Sequence, residues 1–460
     1  MLSFTDCAKQ SPLQSPPIMR TSESRIGTRR RICFDVTMAP VTRFATFLLL
    51  IAAAASPLLA QTAQDGLTDP VFSQIPFDQW LSQGDQSHMR WTVRLSEPQL
   101  SAHQRMVAAV SVSVDGAELV RRRGKGRFLV LVQVNDERGR VWQNHQEMDL
   151  EHIEEGMKTN NAVFSEILFL VPGDYSVSTA IFANATGDHS VIKHKLHVPP
   201  LKNDPLPGAW HDLPAVEFLG PAMLPDSWYL PSIEGKLRLA VETHEPVHVD
   251  LVVNLTPSEH LAGSTRVQNR TFGVLLPATK VLSQVDWGTA TFGVSLLDLS
   301  RRRVTYRQEN AGGLDWAKAG SALSEVNPGI IDVKSLAQRQ FSAEFFLDEI
   351  RRRIAHRGSR VLIVLSSAVR FADGQELHPI ALDGPSDAKV FYIRYQPPPQ
   401  VFFGAPDAGV RARPVVRTGY ATIDQLEPLL KPLEPRLFEV ATPEQFRKAL
   451  ATILGEIAKL

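Results

Sequence analysis

Three groups of residues in this 460-residue chain have the types and spacing to do chemistry. The first is His244-Glu245-Pro246-Val247-His248, which fits H-E-x-x-H. On a helix that pattern puts two imidazoles on one face to hold zinc, while the glutamate activates a bound water. Pro246 between the histidines would disrupt such a helix by about 3 kcal/mol. The flanks, 237–241 and 249–253, read as strands. The expectation is therefore a hairpin turning at Glu245-Pro246 rather than a metalloprotease site.

The second group is Asn254-Leu-Thr256-Pro-Ser258, directly after an apolar strand, with Ser366-Ser367 directly after another. Hydroxyls are fair ligands for Mg²⁺, a hard cation that takes oxygen donors and at least one carboxylate. Asn254 supplies only a neutral carbonyl. Unless Asp373 or a partner's carboxylate completes the set, these five residues form a binding edge without metal or cofactor. A relaxed Mg²⁺ or Ca²⁺ adhesion site is the alternative. An exported hydrolase is a second one, and it needs a histidine near Ser258 or Ser366, because a base must reach its nucleophile. The third group is three arginine triplets, 121–123, 301–303 and 351–353. Acids balance them along the chain, so they read as solvated charge at element ends, with a composite anionic docking surface as the sharper alternative. Other signatures fail. Gly384-Pro-Ser386-Asp-Ala388 lacks the second glycine of a nucleophile elbow, and there is no phosphate-cradling glycine loop.

Two kinds of element must position these groups. Runs at 107–114, 128–134, 142–150, 163–171, 175–182 and 190–198 are short, mostly alternating and separated by turn residues such as Asp115-Gly116 and Pro172-Gly173. That is the pattern of an antiparallel β-sandwich over 105–200, preceded by a mixed segment, 61–104. Eight prolines between 199 and 231 predict an extended linker, assigned to 201–234. Beyond it, 247–255, 289–299 and 361–365 are apolar on both faces, as strands buried between helices are. Residues 304–308 and 388–393 continue the series. Phe341, Phe345, Phe346, Ile350 and Ile354 share one face of a helix whose last turn carries the third arginine triplet. Thr442 and Pro443 start a closing helix as N-cap and first-turn residue. Strand–helix alternation predicts a doubly wound α/β domain over 235–460, and the whole an α+β chain of two domains.

The N-terminus predicts export. Met38 opens a run with Arg43, an apolar core from Phe44 to Ala55, Pro57 and a small residue at Ala60, the anatomy of a secretory signal peptide. Its core of about 12 residues is too short to span a bilayer of about 30 Å. Residues 1–37 then read as an upstream extension, with Met38 the true start. Cleavage near Ala60 removes both cysteines, Cys7 and Cys33, and leaves 42 basic against 46 acidic residues, about −4. A thiol-free, mildly acidic chain has no disulfide and no cysteine nucleophile, and nothing in it favours nucleic acid or an anionic membrane. Secretion or periplasmic location and a protein partner at the envelope are the corresponding expectations.

With these residues in view, the mature chain resembles the secreted von Willebrand factor A-related proteins known mainly from acidobacteria. The resemblance rests on residues 246–258, on the helix and strand over 351–365, on the close at 437–450 and on the turn at 171–175. It implies a fold whose first strand ends in D-x-S-x-S, the start of a metal-ion-dependent adhesion site. Asn254 stands at the aspartate's place, and Thr256 and Ser258 at those of the serines. A later strand should end near an Asp-Gly, where this chain has Ser366-Ser367-Ala368. The implied function is a non-enzymatic protein- or ligand-binding module with a degenerate metal site.

Overall fold

Alternation along residues 106–115 dictates the first layer. In the computed structural model β3 (Met106–Asp115) buries every second side chain, and β1 (Trp91–Leu95) and β2 (Gln99–Leu100) pair with it antiparallel. The structure describes residues 66–84, 89–220, 233–256, 265–311, 313–324, 341–355, 360–371, 377–381, 387–396, 401–402, 415–416 and 424–460. The expected leader at 38–60, both cysteines, Ser258 and Asp373 lie outside the described residues.

The sandwich is completed by β4 (Arg127–Asp136), β5 (Val141–Asp149), β6 (Asn161–Leu170), β7 (Gly173–Ala183), β8 (His189–Val198) and β9 (Val216–Phe218). One sheet runs β1-β3-β6-β9 with β2 on β3, and the other β5-β4-β7-β8. Val110, Val112 and Val114 of one sheet meet Phe128, Val130 and Val132 of the other in a shared core. The opposite face of β4 is also buried, because Phe77 and Trp80 of α1 (Phe77–Gln83) cover Leu129 and Leu131. This double burial is why the β4 segment reads as an unbroken apolar run.

Two expectations about this layer need correction. Asp115-Gly116 is not a hairpin turn. The Asp115 carboxylate accepts from the Ala117 amide at 2.9 Å and caps α2 (Gly116–Arg121), since a short acid at an N-cap satisfies an orphan donor. Nor does the proline-rich stretch stay clear of the cores. Val216 and Phe218 join the sandwich core as β9, while Ala209 and Leu213 belong to the core of the second layer. Prolines suit this path because an edge strand and a strap need few amide donors.

The second layer is a six-stranded sheet, β12-β11-β10-β13-β14-β17. It comprises β10 (His248–Asn254), β11 (Thr291–Asp298), β12 (Arg303–Ala311), β13 (Arg360–Ser367), β14 (Lys389–Tyr395) and β17 (Arg436–Val440); a separate short hairpin joins β15 (Val401–Phe402) to β16 (Val415–Val416). Every pairing in the sheet is parallel except β11 with β12. Helices α3 (Thr265–Ser283), α4 (Trp316–Ser324) and α7 (Pro443–Ile457) contribute to the core on one face. On the other, α5 (Ser342–Ile354) and α6 (Leu426–Leu430) pack against Val252, Leu362, Val364 and Tyr392. The chain is thus α+β, with antiparallel and mainly parallel sheets in separate layers of the single unit Leu59–Leu460. The helix at 341–354 is found at Ser342–Ile354; Phe341 sits outside it and is 41% exposed. Thr442 caps α7 with a full capping box to Gln445. No helix among the described residues is long and apolar enough to cross a membrane.

Candidate functional site

Strand polarity sorts the polar residues of β10 to its two ends. Asp250, Val252 and Asn254 share the face opposite Val249, Leu251 and Val253, because side chains alternate along a strand. From β10 the chain runs to β11 on one side and later to β13 on the other. The gap between the carboxyl ends of β10 and β13 is therefore the topological switch point, where open α/β sheets bind ligands.

Asn254 and Ser366 face each other across this gap, as Cα partners in the register. Both are fully buried, and the Asn254 side-chain amide donates to Ser366 Oγ at 2.9 Å. Ser366 Oγ in turn donates to the Ser367 carbonyl at 2.6 Å. Asn254 Oδ1 accepts from the Thr256 amide at 3.0 Å, and Thr256 Oγ1 accepts from the Leu299 amide at 2.6 Å. Ser367 is buried beside them, and its Oγ has no hydrogen-bond partner among the described residues. Four of the five expected edge residues thus come together, and Ser258, the fifth, lies outside the described residues.

Chemically this is a polar knot. Asn254 Oδ1, Thr256 Oγ1 and Ser366 Oγ hold the strand ends and the turn after β11, Ser367 Oγ is left over, and Ser366 Oγ has its two bonds with no histidine among them. The sequence reading missed two carboxylates at the same ends of the strands. Asp298 closes β11 and accepts from Ser300 Oγ, the Arg301 amide and the Arg301 guanidinium. Asp424 accepts from the Val369 and Leu426 amides and from the Tyr392 hydroxyl at 2.8 Å. Burial beside Asp424 pushes that hydroxyl well above its ordinary range, so it remains a donor. Both acids were findable, one as the last residue of a parallel strand and one as the acid before a short helix.

The other end of β10 carries charge. Arg353 of α5 is buried and donates to Asp250 at 2.7 Å, to Ser295 Oγ at 2.5 Å, to Glu309 at 2.8 Å and to Glu349 at 3.3 Å. Arg360 adds a second bond to Asp250 at 2.9 Å, and Arg307 and Arg352 reach Glu349. Burial alone would raise the Asp250 carboxyl, but the hydrogen bond from His248 and the charge of Arg353 outweigh it, and it is held below the usual carboxylate range. His248, Asp250 and Glu309 lie close enough to suggest a metal site. The guanidinium of Arg353 already lies between Asp250 and Glu309 and supplies the cation.

The H-E-x-x-H residues are neither helix nor hairpin. His244 and Glu245 form a bend, and residues 237–241 do not turn back on β10. They run instead beside Asp286, whose amide donates to Leu239 O at 2.7 Å while Val241 donates back at 2.9 Å. The strand-like pattern was real, but its partner is the chain after α3. The arginine triplets bind separate acids: Arg122 takes Glu118 and Asp188, Arg301 takes Asp298, and Arg353 takes the network above.

No protein-family model matches this sequence, and no curated protein does. Among solved structures, the chain is similar to a Northeast Structural Genomics Consortium target at 13% identity and a TM-score of 0.16, over 26% of this chain and 92% of that one. It is also similar to the putative ApaA protein of Bordetella pertussis at 11% identity and a TM-score of 0.15, over 25% of this chain and 97% of that one. Superpositions this loose carry no argument about fold family or activity.

Proposed function

We propose that this is an exported, non-enzymatic binding protein whose second layer is a von Willebrand A-like domain that engages a protein partner at the carboxyl edge of its sheet. The observation that carries the reading is the knot of Asn254, Thr256 and Ser366 at the switch point between β10 and β13. A parallel sheet with one antiparallel edge strand supports the same reading, as does the resemblance of residues 246–258. Metal is not required in this scheme, because Asn254 replaces the charge that would offset stripping water from Mg²⁺.

Two measurements on the mature chain 61–460 test it. Titration calorimetry with Mg²⁺ and Mn²⁺ should give no heat of binding; a heat abolished by Thr256→Ala would favour the metal-dependent adhesion reading instead. Immobilised mature protein should retain a partner from its own envelope fraction, and Thr256→Tyr, at the partly exposed rim of the knot, should release it. Retention of the same partner by a folded Thr256→Tyr protein would place the interface elsewhere. Sequencing the N-terminus of the secreted protein checks export, with Gln61 the expected first residue.

A further inference from the structure

We propose that the seam between the sandwich and the α/β layer holds a site for a small carboxylate, taken up by the unused edge of the Arg105 guanidinium beside Lys280. Arg105 stands directly before β3 and is 2% exposed. Its Nη1 pairs with Glu217 of β9, and its guanidinium lies over the ring of Phe169 on β6, 4.8 Å from the centroid. Nε and Nη2 are buried and bonded to nothing among the described residues. The ring attracts the charge but offers these donors no oxygen.

Nε–H and Nη2–H form one side of the guanidinium fork, the side that takes both oxygens of a carboxylate at once. A buried donor left unpaired is costly, and here two adjacent ones are left. Glu217 cannot turn to serve them. Its Oε1 accepts from the Glu234 amide at 2.6 Å, and its Oε2 accepts from the Gly235 amide at 3.2 Å as well as from Arg105. The backbone at Gly235 is pressed so close that an added Cβ would lie 2.8 Å from both Arg105 Nη1 and Glu217 Oε2. The pair is fixed, and the second edge of the guanidinium stays unserved.

The charges around the pair point the same way. Lys280 of α3 is pushed below its ordinary range, because burial and the charge of Arg105 outweigh that of Glu217. Two cations, Arg105 and Lys280, thus face one carboxylate, which leaves a surplus of one positive charge in a seam largely closed to water. Burial, Lys280 and Arg105 hold His103 down to about 3, so the imidazole stays neutral. Buried charge is costly unless paired, and a carboxylate carries the single negative charge that closes the count. Phosphate, largely dianionic at neutral pH, overshoots it. His103 is the way in. It is half-buried, rests edge-on against Phe169 at 5.6 Å and makes no hydrogen bond among the described residues, so its ring can swing without breaking one.

The test compares melting of the mature chain 61–460 in sodium acetate and in sodium chloride at equal ionic strength and pH 7, so it does not depend on the partner proposed above. Arg105→Lys keeps the charge beside Glu217 and lacks the fork, and Lys280→Met keeps the stem and removes the surplus charge. Acetate also stabilises folded chains in general, and the variants measure that part. The acetate-over-chloride rise in melting temperature should be larger for wild type than for either variant by at least about 2 °C. If Arg105→Lys does not fold, Lys280→Met carries the comparison. A rise that Lys280→Met retains in full overturns the proposal. So does a rise specific to wild type in sodium phosphate with none in acetate.

Discussion

Replacing Arg353 by methionine is expected to destabilise the α/β layer by about 3 kcal/mol, the lower end of the range for removing one partner of a buried ion pair. The figure follows from what remains afterwards. Asp250 keeps Arg360 at 2.9 Å and His248 at 3.2 Å, and Glu349 keeps Arg307, Arg352 and the Ser295 hydroxyl. Neither carboxylate is orphaned, which argues against the upper end. Glu309 is about half exposed, so its lost bond adds little once solvent screening is counted. Methionine retains most of the aliphatic stem, so the change reports charge and hydrogen bonding more than packing.

Urea unfolding followed by circular dichroism measures the effect, with equal slopes required before midpoints are compared. Arg351→Met is the control. Its pair with Asp348 lies on the exposed face of the same helix, where such pairs contribute about 0–0.5 kcal/mol. The double variant Arg353→Met, Asp250→Asn should be less destabilised than the sum of its parts, with a coupling of about 0.5–3 kcal/mol as expected for groups in one network. If Arg353→Met falls within about 0.5 kcal/mol of Arg351→Met, or the two changes simply add, the network is not what holds α5 to β10.

Two further outcomes follow from the sandwich. Glu166 points into the core from β6, and burial raises its carboxyl despite hydrogen bonds from Gln146 and Asn144. A raised folded value means that stability is full below the unfolded value of 4.5 and declines as pH rises through the folded one. Glu166→Gln should therefore be more stable than wild type at pH 7 and indistinguishable below pH 4.5, and a loss of stability at pH 7 would contradict the assignment. Gly116 opens α2 where an added Cβ would lie 1.9 Å from Met157 O and 2.2 Å from Asn160 O, both backbone atoms. Gly116→Ala should cost about 1–3 kcal/mol, as overpacking does, and a melt unchanged from wild type would show that the 155–160 turn yields freely.

The strands were legible because burial writes a period into the sequence. All six sandwich runs and five strands of the second sheet stand where alternation or doubly apolar stretches placed them, and Thr442-Pro443 announced α7. What stayed hidden depended on partners far along the chain. Helix α3 carries Pro277 in its interior, a residue that argues against a helix, and is held there by Leu275, Leu276, Val281 and Leu282 in the core. Residues 237–241 alternate like a hairpin arm, but alternation does not name the partner. The proline-rich stretch was read from composition alone, and composition did not reveal that Leu213 and Val216 would enter two different cores. At the site, spacing brought Asn254 and Thr256 to attention and a place directly after an apolar strand brought Ser366, while Asp298 and Asp424 were passed over because neither stands in a named motif.

The two ends of β10 meet their polar groups in different ways. Asp250 and Asn254 are four residues apart on one face, a rise of about 13 Å along a strand. An adhesion site needs its carboxylate at the carboxyl end, beside the hydroxyls of Thr256 and Ser366. On β10 itself the buried acid is at the amino end, where Arg353 and Arg360 compensate it from within the chain. The acids at the carboxyl edge, Asp298 and Asp424, come from other segments and are held by Arg301 and by Tyr392 with backbone amides. The carboxyl end receives the neutral amide, and its donors and acceptors close on Ser366 and Thr256 rather than on an ion. Restoring the charge with Asn254→Asp would therefore meet a backbone already tied to the knot. It would lose the donated bond to Ser366 and bury an uncompensated carboxylate, so the variant should lose stability at neutral pH. Mg²⁺ should recover that loss if the free lone pair of Thr256 Oγ1, which accepts only the Leu299 amide, turns to the ion. A magnesium-dependent rise in the melting temperature of Asn254→Asp would show that the knot is a relaxed metal site; an unchanged melt would count against a metal at this edge.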